Sequence, residues 1–375
     1  MLETQIRTVR GRFGSLCFVL GACLSLVLVI WVFTMTPLYP FQFRPILKRY
    51  LWGGRRLGEV LGKPIGDGHD YAESWEIADH ASGQSIVTNG PLAGTELAQL
   101  VAERGSELLG RHAPQSLAQQ PRFPLLFKFL DCQRDLSVQV HPDDAAAAQL
   151  DPPDLGKTEA WVILGAMPGS RVYAGLKFGF DRAALAREVE RGRTELCLNS
   201  FEPRVGDCIF IPAGTVHALG AGLLVAEIQQ ASDTTYRLFD WNRVGPDGQP
   251  RPLHVEQALD AIDYTAHIVR PGQPHSTDRP YAERLVACDK FVLDRWRIDA
   301  LHALDTAGGF HILSVLEGEL YLSVAGDATS GSNTTSDQVS IFSLIAGQTL
   351  LVPASVERVS VASPTTCVFL DMYLP

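Results

Sequence analysis

The sequence predicts a mainly β chain built as two small barrels in tandem, with a few helices on the surface. Three observations carry this. From Pro40 onward, short apolar runs are punctuated by Gly and Pro, the pattern of sandwiches and barrels. One phrase then occurs twice: "EAWVILGAMPG" with "FEPRVGDCIFIPAGTVHAL", and later "HILSVLEGELYL" with "IFSLIAGQTLLVPASVERVSV". In each copy an apolar strand ends at a Gly turn, and a second Gly turn leads into an apolar strand closed by Pro-Ala, which reads as an internal duplication. Helical spacing is confined to two intervals, "GTELAQLVAERGSELLGRH" and "DRAALAREVERGR".

Taken in chain order, residues 1–36 stand apart as an apolar leader. No charged residue lies between Arg12 and Arg44, and the run from Leu16 to Phe33 is almost wholly apolar, close to the ~20 residues that span a bilayer. It reads either as a membrane anchor or as an upstream extension of a chain whose translation starts at Met35. No small-x-small cleavage site follows it, and the apolar run continues well past Cys23 in "LGAC", unlike a lipidation signal. Basic residues on both sides leave the orientation of an anchor open.

Residues 37–268 follow as the first barrel with the two helical intervals as insertions. The Pro-rich, polar stretch "VRPGQPHSTDRPYAERL" reads as a linker, and 269–375 form the second barrel. In the duplicated phrases Glu159 and His217 of the first copy align with His311 and Arg358 of the second. An arginine cannot ligate a cation, so the second barrel is expected to lack a metal site.

Composition narrows the function. The formal net charge is −10, which argues against nucleic acid and against broad adhesion to acidic membranes. A phosphorylated substrate therefore needs a local basic pocket. The seven cysteines are scattered and form no C-x-x-C pair, so neither a disulfide framework nor a thiolate zinc site is expected.

The segment "LSVQVHPDD" places Gln139 and His141 two residues apart in a strand-like run. Residues i and i+2 of a strand share a face. Glu159 then stands alone at the head of an apolar strand, and His217 closes the next motif. Two imidazoles and a carboxylate on three separate strands suit zinc, while iron and manganese take similar ligands.

The paired phrases resemble the two motifs of the cupin superfamily, implying tandem cupin-like (jelly-roll) β-barrels. More specifically, "FPLLFKFLDCQRDLSVQVHPDD", "GKTEAWVILGA", "GDCIFIPAGTVHALGAGLLVAEIQQASDTTYRLFDWNR" and "YAESWEIADH" together resemble the short bacterial branch of the zinc-dependent mannose-6-phosphate isomerases. The resemblance runs from about Tyr39 to the end. It favours the start at Met35, because members of the family begin near "YPFQFRPILKRYLWGG". It implies one zinc ion per chain held by His141, Glu159 and His217 with Gln139 as the fourth ligand. It also implies that Arg237 is the active-site arginine, that Lys157 lines the same pocket, and that Asp233 is an acidic neighbour. The longer branch has a Tyr where this chain has Leu219 and carries an inserted helical domain for which there is no room here, so its pocket details do not transfer.

The implied activity interconverts mannose 6-phosphate and fructose 6-phosphate through an enediolate, in the cytoplasm, where hexose phosphates occur. Such a site needs electrophilic stabilisation, a base and a phosphate anchor. Arg237 suits either the enediolate or the phosphate, and Lys157 either shuttles protons or binds phosphate as a point charge. Ser137 lies on the face of Gln139, within reach of substrate. Lys128, among apolar residues in "LLFKFLD", must pair with a carboxylate such as Asp131 or reach the phosphate. Glu73, Trp75 and Glu76 are candidates for the pocket wall. A competing reading is a non-catalytic sugar-binding protein with two cupin barrels, which predicts decay of the ligand set in both copies. Another is an Fe(II) oxygenase, which usually presents His-x-His where this chain has Gln139-x-His141.

Overall fold

The apolar runs pair as antiparallel strands throughout. The computed structural model describes residues 36–112, 121–245, 248–265, 268–325 and 339–375, of which Tyr39–Pro375 forms one compact unit. The bulk of the apolar leader, through residue 35, lies outside the described residues. Among the described residues no helix is long and apolar enough to cross a membrane.

The first half is two facing sheets. One has six strands in the order Ile46–Gly54, Tyr71–Ile77, Leu125–Cys132, Leu223–Gln230, Glu159–Ala166, Cys208–Ile211. The other has five, in the order Tyr236–Phe239, Val138–Val140, His217–Leu219, Val172–Leu176, Leu198–Phe201. Strands buried on both faces read as continuous apolar runs, and Leu125–Cys132 and Leu223–Gln230 are buried along their whole length. Between the sheets pack Trp161, Ile163, Val172, Ile209, Leu223 and Val225.

The second half repeats the arrangement. Its six-stranded sheet runs His275–Ser276, Ala282–Ala287, Val292–Ile298, Cys367–Tyr373, His311–Glu317, Thr349–Val352, and its four-stranded sheet runs His302–Leu304, Val359–Ala362, Glu319–Ala325, Val339–Ile345. Its core is built on Trp296, Leu313, Leu322 and Phe369. Glu159 and His311 hold the same place in the two halves. Each is the first residue of its strand, and their cross-strand partners Ile211 and Val352 each close theirs.

The stretch read as a linker extends less far than expected. "AERL" belongs to the strand Ala282–Ala287, because its charged residues are satisfied across the ladder: Arg284 pairs with Asp294 at 2.8 Å, and Glu283 accepts from Arg295 Nε at 2.7 Å. The two expected helices form as Leu97–Leu109 and Arg182–Glu190. The second is capped by Asp181, whose carboxylate accepts from Ala184 N at 2.7 Å. A further helix, Val255–Ala261, follows the Tyr236–Phe239 strand and was not legible in the spacing. Contacts join the halves: Phe41 and Leu351 exchange backbone hydrogen bonds, and Leu108 O accepts from Ala354 N at 3.0 Å.

Candidate functional site

The site lies inside the first pair of sheets, where register sets it. His217 is directly opposite Gln139, and Arg237 is opposite Gln139 on the other side. Three side chains thus stand at one level across the five-stranded sheet. From the facing six-stranded sheet come Glu159 and, two strands away through Leu223–Gln230, Lys128, which is opposite Glu227. His141 sits one residue beyond the Val138–Val140 strand.

His141, Glu159 and His217 converge with their ligand atoms within 4.8 Å of one another, all buried. His141 Nε2 is 3.3 Å from Glu159 Oε1, and His217 Nε2 is 3.6 Å from Glu159 Oε2. Each imidazole has its Nδ1 committed to a backbone carbonyl, His141 to Thr234 O at 3.0 Å and His217 to Thr215 O at 2.8 Å. Donation from Nδ1 fixes the tautomer and leaves the Nε2 lone pair facing the cluster, as metal-ligating histidines require. Burial, then the nearby Lys157 ammonium, pushes His141 down to about 3, and burial likewise lowers His217. Burial opposes ionisation of Glu159, but Lys157 and the two imidazoles outweigh it and hold the carboxyl well below the usual range. Neutral imidazoles with an ionised carboxylate are the protonation states that a cation demands.

One atom tests the fit. Glu159 Oε2 is buried and has no hydrogen-bond partner, an arrangement costly in a low-dielectric interior unless a cation completes it. The amide of Gln139 ends 3.3 Å from His217 Nε2. A half-turn exchanges amide O and N, so Gln139 can present an oxygen at the same point. The donor set fits a divalent metal.

Beside the cluster opens a cavity of about 280 Å³. Lys157 Nζ lies 2.9 Å from Glu159 Oε1, and Arg237 Nε donates to Ser137 Oγ at 3.2 Å. Ser137, Lys128 and Asp233 also line this cavity, so every residue singled out for substrate or catalysis is brought to it. Two expectations need correction. Lys128 pairs not with Asp131 but with Glu227 at 3.2 Å and Glu73 at 3.7 Å. An offset of three residues puts Asp131 on the opposite face of the strand, where it pairs with Arg56 at 2.7 Å. Of the three "ESWE" candidates, Glu73 lines the cavity and accepts from Trp75 Nε1 at 2.6 Å, whereas Glu76 points away to a buried pair with Lys63.

Glu227 was missed by sequence reasoning, although "LLVAEIQQ" carries the same signal as Glu159, a lone acid in a buried strand. It accepts from Trp161 Nε1 at 3.1 Å, and burial, followed by the charge of Glu159, raises its carboxyl to about 8. Lys128, held between Glu227 and Glu73, stays charged against its burial. In the second half the residue at the register position of Glu227 is Asp371, opposite Leu313 as Glu227 is opposite Trp161. There Asp371 Oδ1 closes directly on His311 Nδ1 at 2.6 Å.

Residues 41–158 match the catalytic domain of type I phosphomannose isomerase. Two Bacillus subtilis proteins, the probable mannose-6-phosphate isomerase GmuF and the mannose-6-phosphate isomerase ManA, are 37% and 35% identical over 282 and 281 residues. Each alignment takes in 75% of this chain and 86% of the relative. The chain belongs to the mannose-6-phosphate isomerases. The crystal structure of the mannose 6-phosphate isomerase from Bacillus subtilis superposes with a TM-score of 0.77 at 30% identity, covering 90% of this chain and 100% of that one. Membership of the phosphomannose isomerases fits both the pair of cupin-like halves and the confinement of the His-Glu-His cluster to the first of them among the described residues.

Proposed function

We propose that this chain interconverts mannose 6-phosphate and fructose 6-phosphate with zinc as its metal. The observation that carries the reading is the orphaned Glu159 Oε2 between two oriented imidazoles, at the wall of a cavity lined by cations and carboxylates together. Four cations, Lys128, Lys157, Arg237 and Arg251, face four carboxylates, Glu73, Glu159, Glu227 and Asp233. Two imidazoles, a carboxylate and an amide oxygen are donors that suit zinc. Gln139, His141, Glu159 and His217 would hold the ion, which would supply Lewis-acid polarisation of the substrate oxygens.

Going from aldose to ketose, C2 loses a proton and C1 gains one, while the oxygen on C2 loses a proton and the oxygen on C1 gains one. Glu227 lines the cavity beside Lys128, and burial raises its carboxyl, which suits it to carry a proton between adjacent carbons. Lys157, fixed by Glu159, is set to donate to the oxygen that gains a proton. Arg237 keeps its charge throughout and faces the enediolate beside Gln139; Ser137 holds its Nε. We assign catalysis to residues 37–268 and a supporting role to residues 269–375. Both are placed in the cytoplasm, where the substrate is found.

The test is conversion of mannose 6-phosphate to fructose 6-phosphate before and after chelation, with zinc restored and metal content measured, in deuterated water. Activity lost with the metal, regained with zinc and accompanied by deuterium at C1 of the ketose supports the reading. A metal-free protein that still turns over refutes it.

A further inference from the structure

We infer that Arg251 is the residue that anchors the substrate's phosphate group. The inference rests on the isomerase reading and assigns the outer end of that same site. Of the four cations lining the cavity, Lys128 and Lys157 are neutralised by carboxylates. Arg237 stands opposite the ligand position Gln139, and among the described residues its guanidinium donates to neutral acceptors, Ser137 Oγ and Pro252 O. Arg251 has no carboxylate within ion-pair distance among the described residues, although the arginines around it do: Arg49 pairs with Asp70, and Arg243 with Asp240.

Its position is that of a far-end anchor. Arg251 lines both the inner cavity and an adjoining outer cavity of about 420 Å³, which shares Tyr50 and Trp52 with the first; Lys157 and Glu159 line only the inner one. Chemistry at C1 and C2 takes place at the metal cluster, so the phosphate on C6, at the other end of the carbon chain, points outward toward Arg251.

The loop is built to hold this guanidinium beside Arg237. Next to Arg251, the Pro252 carbonyl accepts from Arg237 Nη1 at 3.2 Å, and His254 N donates to Arg237 O at 2.8 Å. Arg237 and Arg251 line the same cavity. In a chain of net charge −10, two guanidinium groups that line one cavity without a carboxylate at ion-pair distance among the described residues form a local anion site, and guanidinium pairs match phosphate oxygens in bidentate geometry.

The experiment uses the full, zinc-loaded chain with Arg251→Met, which keeps the apolar stem, and Arg251→Lys. KM for mannose 6-phosphate and the inhibition constant of inorganic phosphate should both rise roughly ten- to hundredfold in Arg251→Met, as expected for loss of a charged hydrogen bond, while kcat falls far less. Arg251→Lys should recover part of both. Unchanged phosphate inhibition, or a loss confined to kcat, overturns the assignment. If the wild type fails to turn over mannose 6-phosphate, the reaction assignment falls, but calorimetric titration of wild type and Arg251→Met with inorganic phosphate still decides the anchor: equal affinities refute it and a tenfold or greater loss upholds it.

Discussion

Replacing Asp154 by alanine should weaken the metal site from outside it. Asp154 touches no ligand, yet its carboxylate accepts from Ser232 Oγ and Thr234 Oγ1 at 2.8 Å, from Arg122 Nη1 at 2.8 Å and from Leu155 N at 2.9 Å. These bonds shape the turn whose Thr234 carbonyl orients His141. At about 1 kcal/mol for each hydroxyl bond and a similar amount for the Arg122 pair, the variant should lose about 3 kcal/mol. Arg122 keeps its bond to Ala231 O, which limits the loss. Partners of ligating histidines typically matter 10–100-fold in metal affinity; one step further out, we expect about tenfold.

The same variant carries a pH signature. Burial works against the charge of Asp154, but the bonds from Arg122, Thr234 and Ser232 outweigh it, and its carboxyl is held below the ordinary value. A depressed carboxyl stabilises the fold above the unfolded pKa of about 3.9 and loses that contribution as pH falls through the folded value. The stability gap between wild type and Asp154→Ala should therefore be full at pH 7 and shrink steadily below about pH 4. Urea unfolding across pH and competition for zinc against a chelator read the two effects. A variant that retains metal like the wild type, with a gap independent of pH, would show that the turn does not depend on this carboxylate.

Three further outcomes follow from the geometry. His141→Ala and Glu159→Ala should each lose bound metal and activity together, as metal analysis alongside the isomerase assay would show; activity in a metal-free His141→Ala protein would defeat the site. Arg237→Ala should keep its metal and lose turnover by about 10²–10³-fold, in line with removal of one transition-state donor, whereas a loss of metal would make it structural. Arg56→Ala leaves fully buried Asp131 without its ion pair and without donors from Arg56 Nε; an unfolding free energy lower by about 3–5 kcal/mol is expected from denaturant titration, and a change within error would mean that solvent reaches the carboxylate.

Local pattern along the chain was enough for part of this structure. The duplicated phrases announced two β halves, because an apolar strand bounded by glycine turns has the same form wherever it packs. Gln139, His141, Glu159 and His217 stood out because polar residues in buried strands are expensive and therefore informative. The limits of that signal were equally local. The acid of Glu227 carried it and was passed over, and the charges of "AERL" imitated a linker because their partners, Asp294 and Arg295, lie on the next strand. Pairing came from long-range packing. It turned Lys128 toward Glu227 and Glu73 instead of Asp131, set Arg237 opposite Gln139, and brought Arg251 to the same cavity. Register and the facing of two sheets fix which charges meet, and those are long-range choices that no single stretch of chain contains.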